Sequence, residues 1–355
     1  MLVESAFSTL GQVRAVEKDD INRELVAEAD MLLVRSETTV NGSLLAGSRV
    51  CFVGSPTSGF DHVDLDYLEK NNIRFAHAAG CNARSVAEYV LAALLAFQER
   101  HDGGLRGKTL GVVGVGNIGS KVAQIGRALG MTVLCNDPPK AQAASDPSYL
   151  ALDELMECDF LTLHVPLTRT GAHPTYHLFG PDRLAKLNPG CVLINTSRGG
   201  VVHTGALKSV LRQGKVRGAI LDVWEDEPNI DVELLHLADI ATPHIAGYSY
   251  DGKVRGTQMV FEAARSFLGV SAPWQPGSDD AIEPARVLDL SDQGEQELHA
   301  RVQRFYDIRR DDQDLRAIVH VPEGERGAYF WHLRRAYRKR REFLPLHGVG
   351  KLFSI

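Results

Sequence analysis

Short apolar runs alternate with stretches of helical periodicity along most of the chain, and this alternation predicts a parallel α/β sheet. In residues 1–80 the runs are MLLVRS, VCFVGS and IRFAHAA. In residues 106–250 there are six: TLGVVGVG, MTVLCND, DFLTLHVP, GCVLINTS, GAILDVW and DIATPH. Because these six are almost continuously apolar, we predict strands covered on both faces by helices.

Two further helical patterns complete the organisation of the chain. Residues 85–100, SVAEYVLAALLAFQER, are apolar on nearly every side, which predicts a helix buried all round at a domain junction. A Pro/Gly/Ser/Asp-rich linker, SAPWQPGSDD, begins at Ser271. Beyond it, EQELHARVQRFYD predicts a helix with an apolar stripe of Leu298, Val302 and Phe305.

Composition narrows the classes of function. The 355 residues suffice for two or three domains, and the net charge of −6 argues against broad nucleic-acid binding. No apolar run reaches the roughly 18 residues of a membrane helix, and the first residues do not have the pattern of a secretory signal. HPTYH, residues 173–177, is interpreted as a loop and not as a metal site. Five scattered cysteines without a CxxC motif favour free thiols in a reducing cytoplasm. They are Cys51, Cys81, Cys135, Cys158 and Cys191.

The most specific local signal is GVVGVGNIG, in which Gly114, Gly116 and Gly119 form G-x-G-x-x-G between an apolar strand and a helix. The first glycine permits a tight turn, the second lets the backbone approach a pyrophosphate, and the third lets helix and strand pack closely. Gly130 is a plausible C-cap for the helix. The next strand ends at Asp137, whose carboxylate suits ribose hydroxyls and would repel a 2′-phosphate, which predicts NAD. The alternative is a tightly packed βαβ unit without a ligand.

Three polar residues follow three predicted strand ends. They are Arg198 in SRGG, Glu227 in EDEP and His244 in PHIAG. In an open α/β sheet these ends border the ligand crevice. An arginine holds a carboxylate by two hydrogen bonds, a histidine takes a proton from an alcohol, and a carboxylate beside the histidine orients its ring. Together they predict oxidation of a 2-hydroxy acid. Alone, each has a structural alternative: a surface ion pair, a solvated acid and a buried strand-end histidine.

With these residues identified, residues 10–270 resemble the D-2-hydroxyacid dehydrogenase family. The resemblance is carried by GCNARSVAEYVLAALL, GVVGVGNIG, LINTSRGGVV, LDVWEDEP and TPHIAGYS. Within the family, the chain is most similar to the enzymes that act on 4-phospho-D-erythronate in pyridoxal phosphate biosynthesis. That similarity rests on VGSPTSGFDHVD, AAGCNA, CNDPP, PHIAGYSYDGKVRGT and FYDIRRDD. The last motif lies in a C-terminal domain through which this subfamily forms homodimers.

The resemblance implies an α/β fold of two Rossmann-like, doubly wound parallel-sheet domains and a small C-terminal α+β dimerisation domain. We expect a substrate-binding lid domain in residues 1–84 and 255–272. Residues 85–254 would form the NAD-binding domain with its linker helix, and residues 273–355 the C-terminal domain. Family members open with a β-strand, whereas MLVESAFSTLGQV looks like the first helix. The opening strand of the lid domain is therefore expected to be missing.

The resemblance also implies roles for individual residues. Arg198 and Glu227 would be active-site residues, and His244 the proton donor in the reductive direction. Ser36, Thr57 and Tyr248 would contact substrate, although Ser36 and Thr57 equally suit turns stabilised by their own side chains. Val165 stands where a threonine is expected near the cofactor. The missing hydroxyl would cost about 1 kcal/mol of affinity for the cofactor. The NAD site would comprise Gly114, Gly116, Asn117, Ile118, Gly119, Asp137, Val165, Thr196, Ser197, Asp222 and Gly247.

The segment FWHLRRAYRKRREF, residues 330–343, is strongly basic. The simplest interpretation is a solvated helix face. The alternative is that an arginine here, or Arg309 or Arg310, reaches the phosphate-bearing substrate of a partner subunit. The basic residues are Arg334, Arg335, Arg338, Lys339, Arg340 and Arg341.

The resemblance and the residues together predict a cytoplasmic, homodimeric, NAD-dependent dehydrogenase of a small phosphorylated 2-hydroxy acid, without nucleic-acid or membrane partners. Its reaction would convert 4-phospho-D-erythronate to 2-oxo-3-hydroxy-4-phosphobutanoate. One alternative is an enzyme for another D-2-hydroxy acid, such as 3-phosphoglycerate. The other is a non-catalytic NAD(H)-sensing corepressor, which the same fold permits.

Overall fold

The structure is a computed structural model that describes residues 2–101, 103–144, 146, 148–276 and 294–344. Its strands are β1 (Met31–Leu33), β2 (Phe52–Ser55), β3 (Arg74–His77), β4 (Thr109–Val113), β5 (Thr132–Asn136), β6 (Phe160–Leu163), β7 (Val192–Asn195), β8 (Gly218–Leu221) and β9 (Ile240–Ala241). Its helices are α1 (Leu2–Phe7), α2 (Arg23–Ala27), α3 (Gly42–Leu45), α4 (Leu65–Lys70), α5 (Ala83–Arg100), α6 (Gly119–Ala128), α7 (Pro138–Ala144), α8 (Pro181–Leu184), α9 (Thr204–Arg212), α10 (Val232–Leu237), α11 (Tyr250–Leu268), α12 (Glu295–Phe305), α13 (Ile308–Arg316) and α14 (Arg326–Arg335).

The chain divides into two compact units. Of the described residues, 2–82 and 249–276 form the first unit, and 83–248 and 294–344 form the second. The described part of the C-terminal segment therefore clusters with the larger sheet. The three-domain boundaries that the sequence suggested stay a prediction.

The first unit contains a three-stranded parallel sheet in the order β1-β2-β3. Helix α11 packs on this sheet together with α1, and the Phe7 and Phe261 rings meet edge to face at 5.7 Å. The segment at its start is helical, as MLVESAFSTLGQV predicted. Strand β1 ends at Leu33, earlier than the run MLLVRS suggested. Beyond it the chain closes a turn, in which the Thr38 amide donates to the Arg35 carbonyl.

The second unit contains a six-stranded parallel sheet in the order β5-β4-β6-β7-β8-β9. All six strands predicted from the apolar runs of residues 106–250 are present. Strands β6, β7 and β8 are buried at every position, as expected for a sheet covered on both faces. The chain crosses from one side of β4 to the other between β5 and β6. Such a switch point opens a crevice beyond the carboxyl ends of the strands.

Helix α5 lies at the centre of the second unit. Fifteen of its 18 residues are buried, which confirms the prediction of a helix enclosed on all sides. Buried residues of α5 and of the strands share one apolar cluster with Leu298 and Val302 of α12 and with Phe343 and Leu344. The C-terminal segment is thus part of the core of this unit. The predicted apolar stripe of α12 is confirmed, with Phe305 partly buried against the same cluster.

The described part of the C-terminal segment, residues 294–344, contains helices and no strand, where an α+β domain was expected. The segment after α14 has no regular secondary structure, and amides at its end bond to a side chain. The amides of Phe343 and Leu344 donate to one oxygen of the buried Glu88 carboxyl, at 2.7 and 2.8 Å. Glu88 therefore attaches the end of the described chain to α5.

Three general features limit the chemistry of the described residues. None of their helices is long and apolar enough to cross a bilayer. They contain no group of three or more His, Cys, Asp or Glu side chains that would hold a metal ion. All five cysteines are free thiols, and only Cys51 is exposed, so no disulfide contributes to stability.

Glu88 makes stability depend on pH. Burial raises its pKa to about 8, against the opposing charge of Arg340 and the two amide hydrogen bonds. In the unfolded chain a glutamate loses its proton near pH 4.5. Between pH 4.5 and about 8, the folded state therefore keeps a proton on Glu88 that the unfolded state has lost. This contribution to stability is complete below about pH 4.5 and is lost as the pH rises to about 8.

We predict that Glu88→Gln reduces this pH dependence, because a neutral amide accepts the same two hydrogen bonds and does not titrate. The thermal midpoint should fall less for the variant than for the wild type between about pH 5 and pH 8.5. Glu297→Gln, which changes an exposed glutamate of α12 in the same unit, is the matched control and should keep the wild-type slope. Identical slopes for Glu88→Gln and the wild type would contradict the prediction.

Candidate active site

A histidine–carboxylate pair lies at the carboxyl ends of β8 and β9. His244 Nδ1 is 2.7 Å from Glu227 Oε2, and the other Glu227 oxygen accepts from the Trp224 amide at 2.9 Å. Burial by itself would raise the pKa of Glu227. The charge and hydrogen bond of His244 outweigh burial, with help from the charge of Arg334 and the Trp224 amide, and hold the pKa below its ordinary value. Because an ionised carboxylate only accepts, Nδ1 of His244 carries a hydrogen, and Nε2 is the ring nitrogen left for the substrate.

The buried carboxylate of Asp222 organises the loop that carries His244. One oxygen accepts from the Thr242 hydroxyl at 2.7 Å and from the Ile245 amide at 2.8 Å, and the other accepts from the Ala246 amide at 3.0 Å. The His244 amide donates to the Asp222 carbonyl at 2.7 Å. His244 has a φ of +55°, a conformation that residues with a side chain rarely adopt. The bonds to Asp222 hold the loop in this shape.

Arg198 follows β7, next to the strands that carry Glu227 and His244. The Asn195 side-chain amide donates to the Arg198 carbonyl at 3.0 Å, while the Ser197 hydroxyl donates to Asn195 Oδ1 at 2.7 Å. A side chain at Gly199 would collide with the backbone carbonyl of Trp224. The loop of Arg198 therefore packs directly on the loop of Glu227, which brings the three predicted strand-end residues to one edge of the sheet.

The glycine-rich turn after β4 has the geometry of a dinucleotide loop. Gly114 has a φ of +84°, and a Cβ there would lie 2.7 Å from the His164 carbonyl oxygen. A Cβ at Gly119 would collide with the Gly114 carbonyl oxygen, so α6 can begin here only with glycine. A Cβ at Gly116 would meet nothing within 4 Å, which leaves its backbone open to a phosphate. Helix α6 begins without a side-chain cap hydrogen bond, and Gly130 follows it with a φ of +74°, as predicted for a C-cap residue.

Asp137 follows β5 directly and lies at the glycine turn. One of its oxygens accepts from the Val115 amide at 2.8 Å, and the other from the Lys140 amide at 3.1 Å. The Lys140 ammonium donates to the Val115 carbonyl at 2.6 Å. Each carboxylate oxygen retains accepting capacity for a ribose hydroxyl.

The other residues predicted to line the NAD site lie in the second unit, at the glycine turn or in loops that follow strands of the same sheet. Asn117 is exposed beside Gly116, and Ile118 is the N-cap of α6. Val165 lies against Gly114, so the valine that replaces the expected threonine is beside the glycine turn. Thr196 and Ser197 are buried after β7, and Gly247 lies between Ala246 and Tyr248 in the His244 loop.

His164 was not predicted as a site residue, yet it lies between two hydroxyls of the same region. Its Nε2 is 3.0 Å from Thr162 Oγ1 and its Nδ1 is 3.3 Å from Thr196 Oγ1. Burial lowers the pKa of His164 to about 3. Burial therefore favours the neutral ring. The sequence signal was a polar residue at the end of an apolar run, the same signal that identified His244.

Ser36 and Thr57 lie in the first unit, each in a turn. The Thr57 hydroxyl donates to the Gly59 carbonyl at 2.8 Å and lies 2.7 Å from the Ser55 hydroxyl. Ser36 lies three residues beyond the end of β1. Thr57 thus stabilises its own turn, the alternative that the sequence left open. Contact of either residue with substrate stays a prediction.

Two buried arginines of the C-terminal segment lie against the His244 loop. Arg340 donates to the carbonyls of Ala246 and Tyr248 at 3.1 Å each, and to the Ser85 hydroxyl. Arg334 donates to the Tyr248 hydroxyl at 3.2 Å. The interpretation of the basic segment as a solvated face is therefore wrong for these two arginines. Sequence alone missed them because charge and exposure usually go together.

Sequence profiles of two families match the chain. Residues 86–246 match the D-isomer specific 2-hydroxyacid dehydrogenase, NAD binding domain. Residues 282–347 match a domain of unknown function, DUF3410. The erythronate-4-phosphate dehydrogenase of Salinibacter ruber is 48% identical, over 96% of this chain and 89% of the relative. That of Proteus mirabilis is 44% identical, over 98% of this chain and 92% of the relative.

Solved structures with a similar fold include dehydrogenases that contain NAD. The Aquifex aeolicus D-lactate dehydrogenase complexed with NAD and lactic acid is 30% identical, with a TM-score of 0.64 over 75% of this chain and 91% of that chain. The NAD-dependent formate dehydrogenase of Staphylococcus aureus in complex with NAD is 23% identical, with a TM-score of 0.64 over 77% of this chain and 89% of that chain. At that identity the second likeness concerns the fold alone.

We predict that Glu227→Gln lowers kcat by about 100-fold and changes the Michaelis constant for the acid little. The amide preserves the shape of the side chain but removes the negative charge that is bonded to the His244 ring. The measurement is NADH formation by absorbance, over a range of pH. Asp226→Asn, an exposed neighbour, is the matched control and should behave as the wild type. A Glu227→Gln enzyme with wild-type kcat would contradict this role.

Proposed function

The chain belongs to the D-isomer-specific 2-hydroxyacid dehydrogenases, in the group of erythronate-4-phosphate dehydrogenases, and we propose that it oxidises 4-phospho-D-erythronate. The product would be 2-oxo-3-hydroxy-4-phosphobutanoate, in the biosynthesis of pyridoxal 5′-phosphate. The chain is an NAD-dependent dehydrogenase. The observation that carries the proposal is the bonded pair of His244 and Glu227 beside Arg198, in a chain nearly half identical to enzymes named for this substrate.

The residues present fit NAD. Gly116 leaves open backbone where a pyrophosphate would approach, and the uncapped start of α6 offers N–H donors. Asp137 would accept from the ribose hydroxyls and disfavour the 2′-phosphate of NADP. When bound, NAD supplies the acceptor for the hydride that leaves C2 of the substrate. Support for the remaining predicted NAD contacts is their position at the glycine turn or beyond the carboxyl ends of strands of the same sheet.

The protein groups perform the proton transfer and hold the acid. Arg198 would bind the substrate carboxylate with two parallel hydrogen bonds. The Nε2 lone pair of His244 would take the proton of the C2 hydroxyl as the C2–H bond breaks, so that the alcohol becomes a ketone. Glu227 stabilises the resulting imidazolium through the Nδ1–H bond. In the reverse direction, the same imidazolium returns its proton to the carbonyl oxygen.

The assembly and location are further parts of the proposal. We propose a homodimer formed through the C-terminal segment, as the resemblance to this group of enzymes implies. We also propose that the protein works in the cytoplasm, because its five cysteines are free thiols and its chemistry uses the NAD pool.

We predict NADH formation with 4-phospho-D-erythronate and little with 3-phospho-D-glycerate or D-lactate. Absorbance at about 340 nm follows the reduced cofactor, with a trap for the keto product. His244→Ala should lower kcat by about 100- to 10,000-fold while NAD still binds, since it removes the proton acceptor. Faster turnover of another acid would show that this acid, and not 4-phospho-D-erythronate, is the substrate. Turnover of none, with NAD bound, would favour an NAD(H)-sensing role.

We predict a molar mass of twice the 38.9 kDa chain by light scattering. On dilution, amides in residues 294–344 should lose protection from hydrogen exchange before those of β4 to β9, because the interface would dissociate first. A mass of one chain at micromolar concentration would contradict the homodimer. Earlier loss of protection in another segment would place the interface outside the C-terminal segment.

A further inference from the structure

Arg334 is a buried charge without an acidic partner. The residue is 6% exposed, and its Nε is buried with no hydrogen-bond partner. One terminal nitrogen donates to the Tyr248 hydroxyl, and the guanidinium lies 4.6 Å from the centre of the Trp331 ring. Among the described residues, no carboxylate lies within ion-pair distance of Arg334. A buried guanidinium is normally paired, so this arrangement indicates an anion that the protein itself does not supply.

Glu227, whose pKa the charge of Arg334 helps to lower, does not supply that anion. One Glu227 oxygen is bonded to His244 and the other to the Trp224 amide. Arg334 lies outside ion-pair distance of both oxygens, so its charge acts on Glu227 only at longer range. The charge of Arg334 therefore remains to be balanced at close range by a ligand.

Resting on the function proposed above, we propose that Arg334 binds the phosphate group of the substrate. The substrate carries two anionic groups, and Arg198 accounts for its carboxylate. A planar guanidinium with free donors suits phosphate oxygens. Arg334 is held against Tyr248, four residues after His244, so the second anion would be bound by the same chain that moves the proton. The C-terminal segment thereby acquires a role in substrate selection.

In this proposal Arg334 serves the active site of its own chain, and not that of a partner subunit. Arg334 projects from α14 towards the His244 loop of its own compact unit, where the Tyr248 ring lies 5.6 Å from the guanidinium. The Trp331 and Tyr248 rings hold it in place and limit its access to water. Arg335, the next residue, is exposed and provides a matched control on the same helix.

The test compares Arg334→Met with the wild type and Arg335→Met, all with NAD present. We expect Arg334→Met to raise the Michaelis constant for the phosphorylated acid, 4-phospho-D-erythronate, by about 10- to 100-fold. The inhibition constant for D-erythronate, the same acid without phosphate, should stay within about twofold. Inhibition by inorganic phosphate should weaken together with substrate binding. Arg335→Met should match the wild type throughout.

Equal losses for the phosphorylated and unphosphorylated acids, with phosphate inhibition intact, would overturn the proposal, because Arg334 would then act through Glu227 or through folding. A wild type that does not turn over 4-phospho-D-erythronate would refute the proposed function instead. In that case calorimetric binding of inorganic phosphate decides the assignment of Arg334: loss in Arg334→Met supports it, and wild-type binding overturns it. If Arg334→Met does not fold, Arg334→Lys replaces it. Lysine keeps the charge without the paired donors, so the Michaelis constant should rise by about two- to tenfold, and a wild-type value would overturn the proposal.

Discussion

The site depends first on one buried carboxylate, that of Asp222. It sits just past β8 and collects a hydroxyl and two amides from the loop after β9. Burial raises its pKa, while the nearby His244 charge and these three donors oppose the rise. The bonds define the path of five consecutive residues and keep His244 at a positive φ, a conformation that costs on the order of 1–3 kcal/mol. These bonds thus position the imidazole beside Glu227.

The same loop is held from the opposite side by the C-terminal segment. Arg340 donates to the carbonyls of Ala246 and Tyr248, which flank Gly247, and to Ser85 on α5. Phe343 and Leu344 then bond to Glu88, one turn further along α5. The His244 loop therefore lies between a carboxylate of the sheet and a guanidinium of the C-terminal segment. This explains why a segment so distant in sequence belongs to the same compact unit.

The ionisable side chains of the site differ in their bonding partners and therefore in their charge. Glu227 is engaged by His244 and the Trp224 amide, and its charge fixes the tautomer of the ring. His164, although close to the glycine turn, is kept neutral by burial. Two histidines that follow strands of the same sheet, β6 and β9, thus differ in their surroundings, because only His244 has a carboxylate beside it.

The sequence by itself determined the parallel sheet, the glycine turn and the strand-end residues Arg198, Glu227 and His244. These features are local: an apolar run, a glycine spacing or a polar residue at a strand end signals its environment within a few residues. Only the tertiary structure decided which charges are buried and what they touch. Arg334 and Arg340 look like the exposed Arg335 in the sequence, and Glu88 looks like any helical glutamate. Their roles arise from contacts across about 90 to 250 residues of chain, which no local pattern encodes.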